Sequence, residues 1–206
     1  MILAATAWVL AAAPEPTDVA GLYVSNQMEV AAALELQPGG HFRYQLDYGA
    51  VSEGAEGDWK FDGTTVRLTT NPAPKEPAFA LVRDDAALAG QLFVAIDSPN
   101  FSWSPLNVEL TLEGADEPVL LSTQDEGRVP IPSGRRATAV KLLLPIYATG
   151  GDPVKLSPDR GHRLVFKLEP NDMGKAAFQG QELTSDGASF VMHRYDTRIT
   201  FKRAEP

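Results

Sequence analysis

Apolar side chains recur at every second position in many short stretches of this chain, and this pattern restricts its fold most. Phe42, Tyr44, Leu46 and Tyr48 share one face of such a stretch. Similar runs lie at 106–112 and 164–168, and alternation of this kind indicates a strand with one buried face. The pair Asp62-Gly63 separates two alternating runs, which is typical of a tight hairpin. The sequence predicts an all-β fold, an antiparallel sandwich or partly open barrel with few short helices.

Two stretches leave a helix open as the alternative. Residues 26–36 carry three alanines and a possible capping Asn26, so a helix competes there with a strand. We favour a strand over Leu34–Leu36, because its hairpin partner follows at once. The stretch 84–91 reads as a short helix or a loop. The nearly continuous apolar run 139–144 is predicted to be a strand buried on both faces.

The first residues are predicted to be a targeting segment that is not part of the folded domain. Residues 1–13 are apolar, carry no charged side chain and end in three alanines before Pro14. This is close to a secretory signal peptide, and the run is too short to span a bilayer. The alternative is a buried apolar strand or helix. A signal places the protein in the periplasm or outside the cell and leaves it without a membrane span.

Charge and cysteine content exclude several classes of protein. The net charge of −9 argues against nucleic-acid binding, because phosphate contacts need a basic face. The chain has no cysteine, which excludes disulfides, thiolate zinc sites and a cysteine nucleophile. No phosphate-loop, dinucleotide or zinc-protease motif occurs, so we expect no cofactor.

The stretch 21–70 carries a resemblance to a known family. It begins with Gly21-Leu22-Tyr23 and continues through residues 34–42, Gly57-Asp58-Trp59 and residues 62–68. In this order it resembles the lipocalin-like β-meander of small bacterial envelope proteins. A second stretch, 105–147, is similar to prealbumin-like or carboxypeptidase-regulatory-like sandwiches through the turn at 123–127. The resemblance implies a module that binds a ligand or partner, or supports a larger structure, rather than an enzyme.

These segments define a predicted organisation of the chain. Residues 1–13 are the signal peptide and residues 14–98 the lipocalin-like meander. Residues 99–158 form the sandwich-like segment. Residues 159–206 are C-terminal strands, of which the stretch 164–203 looks like a second meander similar to 21–70. These strands complete the first sheet if the two meanders belong together. The alternative is that two unrelated meanders merely look alike.

The sequence offers little for catalysis or metal binding. The three histidines, His41, His162 and His193, lack the spacing of ligand pairs, so no metal site is predicted. Carboxylates cluster at Glu53, Glu56, Asp58 and Asp62 and again at Asp116, Glu117, Asp125 and Glu126, in stretches predicted to be loops. Solvated turns explain both clusters. We therefore predict no catalytic residue, with a hydrolase that uses loop carboxylates or His193 as the alternative.

Aromatic side chains are the candidate ligand-binding residues. Tyr44, Tyr48 and Trp59 lie on predicted neighbouring strands, where they form either plain core or a concave face for an apolar or sugar ligand. Trp103, in a predicted loop, is a candidate exposed anchor. The sequence thus favours an exported, non-catalytic protein of the bacterial envelope that binds a protein partner or a small apolar ligand. A structural accessory subunit is a further alternative.

Overall fold

The prediction of an all-β fold is confirmed by a computed structural model, which describes residues 19–98, 105–186 and 189–205. Among these residues no helix is long and apolar enough to cross a membrane. The strands, in chain order, are β1 (Gly21–Gln27), β2 (Val30–Leu36), β3 (His41–Tyr48), β4 (Val51–Phe61), β5 (Thr65–Thr70), β6 (Ala78–Ala87), β7 (Leu92–Ile96), β8 (Asn107–Leu112), β9 (Val119–Ser122), β10 (Ala137–Leu143), β11 (Val154–Lys155), β12 (Gly161–Glu169), β13 (Gln179–Ser185), β14 (Ser189–Arg194) and β15 (Thr197–Arg203).

The chain divides into two compact units. Of the described residues, those up to Pro74 and from Gly174 onward form the barrel unit, and those within Lys75–Met173 form the sandwich unit. The predicted segments end instead at residues 98 and 158. The boundaries differ because β6 and β7 pair with β12 rather than with the strands that precede them.

Eight antiparallel strands close the barrel in the order β1-β15-β14-β13-β5-β4-β3-β2. Strands β1 to β5 follow one another as hairpins, and β13 to β15 complete the ring by pairing with β5 and β1. The turn between β4 and β5 is the predicted Asp-Gly hairpin, in which the Asp62 carboxylate accepts the Thr64 and Thr65 amides at 3.1 and 2.9 Å. This turn lies at one end of the barrel. Because neighbouring strands are antiparallel, the turns 27–30, 48–51 and 194–197 lie together at the other end.

The interior of the barrel is filled with side chains. An eight-stranded barrel is just wide enough for its inward residues to meet at the axis. The largest fully buried ones are Phe42, Phe201, Leu34, Leu36, Leu46, Leu68 and Leu183. The alternation in β3 is confirmed, with Phe42, Tyr44 and Leu46 inside. The helix alternative for residues 26–36 is wrong, because β2 pairs along its whole length with both β1 and β3.

The chain that re-enters the barrel also contributes to its core. Residues 174–176 pair with β4, where the Gly54 amide donates to Gly174 and Gly54 accepts from Ala176, both at 2.8 Å. The Thr70 hydroxyl donates to Ala176 O at 2.8 Å and accepts the Phe178 amide at 2.9 Å. These bonds turn Ala176 and Phe178 into the barrel core.

Two sheets form the sandwich unit around one apolar core. The first has the order β11-β10-β8-β9 and the second β6-β12-β7, in which β7 runs parallel to β12. Their shared core consists mainly of Leu92, Val94, Val108, Leu110, Val140, Leu142, Leu164 and Phe166. Strand β10 buries Val140 and Leu142 but leaves Lys141 half-buried, so the prediction that both its faces are buried is wrong.

The loop predicted as one alternative for 84–91 is present only over residues 88–91, which form a turn. Residues 84–87 extend β6 instead of forming a helix or loop. Strand β6 contains a bulge at Val82, since Arg83 pairs with Val165 and Leu81 with Phe166. The bulge shifts the alternation by one residue, and this shift hides the strand from a period-two reading.

Candidate functional site

A buried carboxylate at one end of the barrel is the most elaborate polar cluster in the described residues. Glu53, near the start of β4, is only 4% exposed. Arg194 ends β14 and engages Glu53 with two parallel hydrogen bonds, from Nε to Oε1 and from Nη2 to Oε2, the latter at 2.6 Å. Tyr195 donates to Oε2 at 2.6 Å and Tyr44 to Oε1 at 3.3 Å. We call these four residues the Glu53 cluster.

Aromatic rings and the backbone hold the arginine in position. The guanidinium carbon of Arg194 lies 5.0 Å from the ring centre of Phe178 and 4.8 Å from that of Tyr195. Contacts of a cation with a ring face are favourable and restrict the side chain. Tyr195 and Asp196 have φ of 51° and 55°, which bends the chain sharply between β14 and β15. This turn directs the Tyr195 hydroxyl back toward Glu53.

The electrostatics of the Glu53 cluster fix its charges rather than prepare them for reaction. Burial and the hydrogen bond to Glu53 raise the pKa of Tyr195 to about 12. Burial and the neighbouring Glu53 also raise the pKa of Tyr44 well above its usual range. Burial opposes the charge on Arg194, but the hydrogen bonds and charge of Glu53 outweigh it and raise its pKa. Both phenols and the guanidinium are therefore donors near neutral pH, and no proton among these three groups is poised for transfer.

Sequence reasoning placed Glu53 in a solvated loop, and this is wrong. Glu53, Glu56 and Asp58 all lie within β4, and only Asp62 of that carboxylate group lies in a turn. Counting back by twos from Trp59 puts Glu53 on the inward face, so the alternation contained the signal. Its partner Arg194 is 141 residues away, a separation that no local pattern can bridge.

A second cluster lies in the sandwich unit around Asp84. Arg160 donates to both Asp84 oxygens at 2.6 and 3.1 Å, and His162 Nδ1 lies 3.0 Å from each of them. The other ring nitrogen of His162 is 3.1 Å from Ser157 O. Burial raises the pKa of Asp84, but the hydrogen bonds from Arg160 and His162 outweigh it and hold that pKa below its usual range. We call this set the Asp84 cluster.

The three histidines occupy separate places. His162 is buried in the sandwich unit, whereas His41 and His193 lie exposed on strands of the barrel. His41 pairs with Asp58, with 3.0 Å between Nδ1 and Oδ1. His193 stands opposite Arg198 across the β14–β15 pair. No group of three or more potential metal ligands occurs among residues 19–98, 105–186 and 189–205.

Three of the four predicted ligand-binding residues, Tyr44, Tyr48 and Trp59, face the barrel interior at different heights. Tyr44 belongs to the Glu53 cluster, and its ring meets that of Phe178 at 5.0 Å. Trp59 is 5% exposed, and its indole donates to Gln37 O at 3.0 Å at the opposite end of the barrel. Tyr48 packs half-buried against the core. Trp103 lies outside the described residues. Ligand binding by these side chains stays a prediction.

Two surface clefts of the barrel unit are open to solvent. One, of about 490 Å³, is lined by residues 20–22 and 35–38. The other, of about 300 Å³, is polar and includes His41, Arg43 and Asp58. Both lie outside the packed core, where fully buried side chains occupy the barrel axis.

The sheet edges of the sandwich unit differ in their protection. Strand β11 has only two residues, β6 carries the bulge and three charges at 83–85, and the edge of β7 is bridged at Phe93 by Arg128. Short strands, bulges and charges are the usual means of preventing an edge from pairing. Strand β9, with the sequence Val-Leu-Leu-Ser, pairs with β8 alone among the described strands, contains no charged residue and shows no bulge against β8. Leu120 on this strand is 68% exposed.

Comparison of the chain with protein-family models, with curated proteins and with solved structures gives no significant match. The resemblances to lipocalin-like meanders and to prealbumin-like sandwiches therefore stay predictions.

Proposed function

We propose that this protein is an exported, non-catalytic envelope protein that acts as a protein-interaction module. The observation that carries the proposal is the placement of large apolar side chains on the outside of well-filled units. Leu88 and Leu120 are 74% and 68% exposed on the sandwich unit, and Leu22 is 49% exposed on β1. Apolar surface left in water favours burial against a partner.

The polar clusters support a binding role over a catalytic one. In the Glu53 cluster three donors occupy the carboxylate, and in the Asp84 cluster each ring nitrogen of His162 already faces an oxygen. A general acid or base needs a free position toward its substrate. The described part of the chain leaves no buried side-chain nitrogen or oxygen without a hydrogen-bond partner. These clusters are suited to holding strands together.

The packed barrel favours a protein partner over a small apolar ligand. Barrels that carry such ligands keep an internal chamber, whereas here Phe42, Phe201 and Leu68 are essentially fully buried along the interior. A protein partner needs only an outer surface, which the exposed leucines provide.

Site-specific photo-crosslinking in the native cells tests the interaction role. A photoreactive residue is placed in turn at Leu22, Leu88 and Leu120, with the exposed Lys60 as a matched control position. We expect a discrete protein adduct from at least one leucine position and none from Lys60. An absence of adducts at all three leucine positions would contradict the proposal.

Export has its own test. Mass spectrometry of the protein isolated from its native cells should find the chain without residues 1–13. A mature protein that begins at Met1 would overturn the export part of the proposal while leaving the interaction part standing.

A further inference from the structure

We propose that the free edge of β9 binds an extended segment of a partner protein, with an apolar centre and Lys or Arg at both ends. The inference rests on the proposed interaction function and specifies its surface and ligand class. Binding of this kind adds a strand to the sheet β11-β10-β8-β9, so main-chain hydrogen bonds supply affinity and side chains supply selectivity.

The backbone of β9 is available for this pairing. Its residues pair with β8 from Val119 opposite Leu110 to Ser122 opposite Asn107, and no other described strand pairs with it. Of the four sheet edges formed by the described strands of the sandwich unit, β9 is the one that has more than two residues and no charged residue, bulge or bridging contact. An unprotected apolar edge is a template for another strand.

The side chains of β9 define the centre of the partner segment. Val119 and Leu121 are half-buried and pack against the sandwich core, while Leu120 points to the outer face of the sheet. A partner strand paired with β9 would place its own side chains alternately next to the inward residues Val119 and Leu121 and next to the outward residue Leu120. Apolar residues at the inward positions would extend the core, and one apolar residue outside would cover Leu120.

Charges at both ends of β9 define the ends of the partner segment. Asp116 and Glu117 precede the strand, Asp125 and Glu126 follow it, and all four are exposed. Arg128 follows the second pair, and Arg135 and Arg136 contact Glu113 ahead of the first, so each flank keeps a net negative charge. Basic residues at both ends of a partner strand would complement this arrangement in either direction.

The same charges argue against a second copy of this chain as the occupant. Antiparallel pairing of β9 with itself would bring the acidic pair at 116–117 of one copy beside the pair at 125–126 of the other. Like charges facing each other across strands are destabilising, and the net charge of −9 adds general repulsion.

Fluorescence anisotropy with a synthetic peptide tests the inference on the full chain. The probe has a centre of alternating valine and threonine and two lysines at each end, and its control has glutamates in place of the lysines. We expect the lysine probe to bind and the glutamate probe to bind at least about tenfold more weakly. Raising the salt concentration should weaken the lysine probe's binding.

Substitutions assign the binding to β9. Leu120→Lys and, separately, the pair Glu117→Lys with Asp125→Lys should each weaken the lysine probe about tenfold. Leu88→Lys replaces an equally exposed leucine elsewhere in the sandwich unit and should leave its affinity unchanged. All substituted side chains are exposed, and an unchanged circular dichroism spectrum checks the fold.

The outcomes separate this inference from the function on which it rests. No binding of the lysine probe, equal binding of both probes, or equal loss with Leu88→Lys would overturn the β9 assignment. Dimers of the protein that disappear with Leu120→Lys would overturn it in favour of self-association. Protein adducts at Leu22 or Leu88 would still support the interaction role in each case, whereas a lack of any adduct contradicts that role independently.

Discussion

Breaking the Glu53–Arg194 pair should destabilise the barrel far more than breaking an exposed ion pair. The carboxylate is 4% exposed and the arginine side chain 20% exposed, so loss of either partner leaves the other without its opposite charge in a site largely shielded from water. Breaking a buried pair typically costs about 3–5 kcal/mol. Because Arg194 keeps some contact with water, we expect the near-isosteric Glu53→Gln to lower the free energy of unfolding by about 3 kcal/mol.

A control pair exists on the same barrel. Arg43 and Glu35 lie 3.9 Å apart on neighbouring strands with side chains 71% and 42% exposed. Exposed pairs contribute about 0.2–1 kcal/mol, so Arg43→Gln should lower the free energy of unfolding by no more than about 1 kcal/mol. Comparison with this variant separates the effect of burial from that of losing an ion pair.

Urea unfolding followed by tryptophan fluorescence measures these energies. Trp59 lies in the barrel, so replacing Trp8 and Trp103 by phenylalanine leaves a probe of that unit alone. This choice matters because a chain of two units need not unfold in one step.

The double variant Glu53→Gln with Arg194→Met should cost about 2 kcal/mol less than the sum of the single variants, since the two groups interact directly. A cost for Glu53→Gln equal to that of Arg43→Gln, or additive single effects, would refute the buried-pair reasoning.

Three further predictions concern other positions. Because the folded pKa of Asp84 is lowered, its stabilising contribution is present above about pH 4 and is lost as the pH falls further. The protection factors of the β12 backbone amides against hydrogen exchange should therefore decline below about pH 4, and this decline should be less steep in the Asp84→Asn variant. A Cβ at Gly57 would lie 2.1 Å from Thr69 O, so Gly57→Ala should lower the thermal midpoint sharply, whereas Gly39→Ala, with its nearest atom at 3.8 Å, should not. Trp59→Ala should cost about 3–5 kcal/mol in urea unfolding, and an unchanged midpoint would contradict its place in the core.

The strands that the sequence predicted are those whose pattern is local. Strand β3 alternates without interruption, and the Asp62-Gly63 turn follows from residues that tolerate a positive φ. Strand β2 was ambiguous because alanine favours a helix, and only its pairing with β1 and β3 decides for a strand. Tertiary contacts overrode the local preference there, and in β6 the bulge at Val82 concealed the strand.

Barrel closure was beyond the reach of any local pattern. It depends on β5 pairing with β13, where Leu68 stands opposite Gln181 across more than a hundred residues of intervening chain. The weak likeness between the two meanders offered a hint, but short alternating strands look alike in unrelated sheets. Closure requires that both sets of strands share one interior, and the burial of Leu68 and Leu183 together demonstrates it.

The Glu53 cluster explains why an interior that could be wholly apolar retains a charge. Inward and outward positions alternate along a strand, so a slip of β4 by one residue would turn Glu53 to the surface and bring Gly54 inside. Arg194 would then remain against Phe178 without its carboxylate, at the cost of a half-buried cation that has lost its charge partner. The same slip would turn Trp59, which is 5% exposed, to the outside of the barrel, so the tryptophan and the ion pair specify the same register. The pair therefore ties the register of β4 to the position of Arg194 at the end of β14, which is not a neighbour of β4 in the barrel.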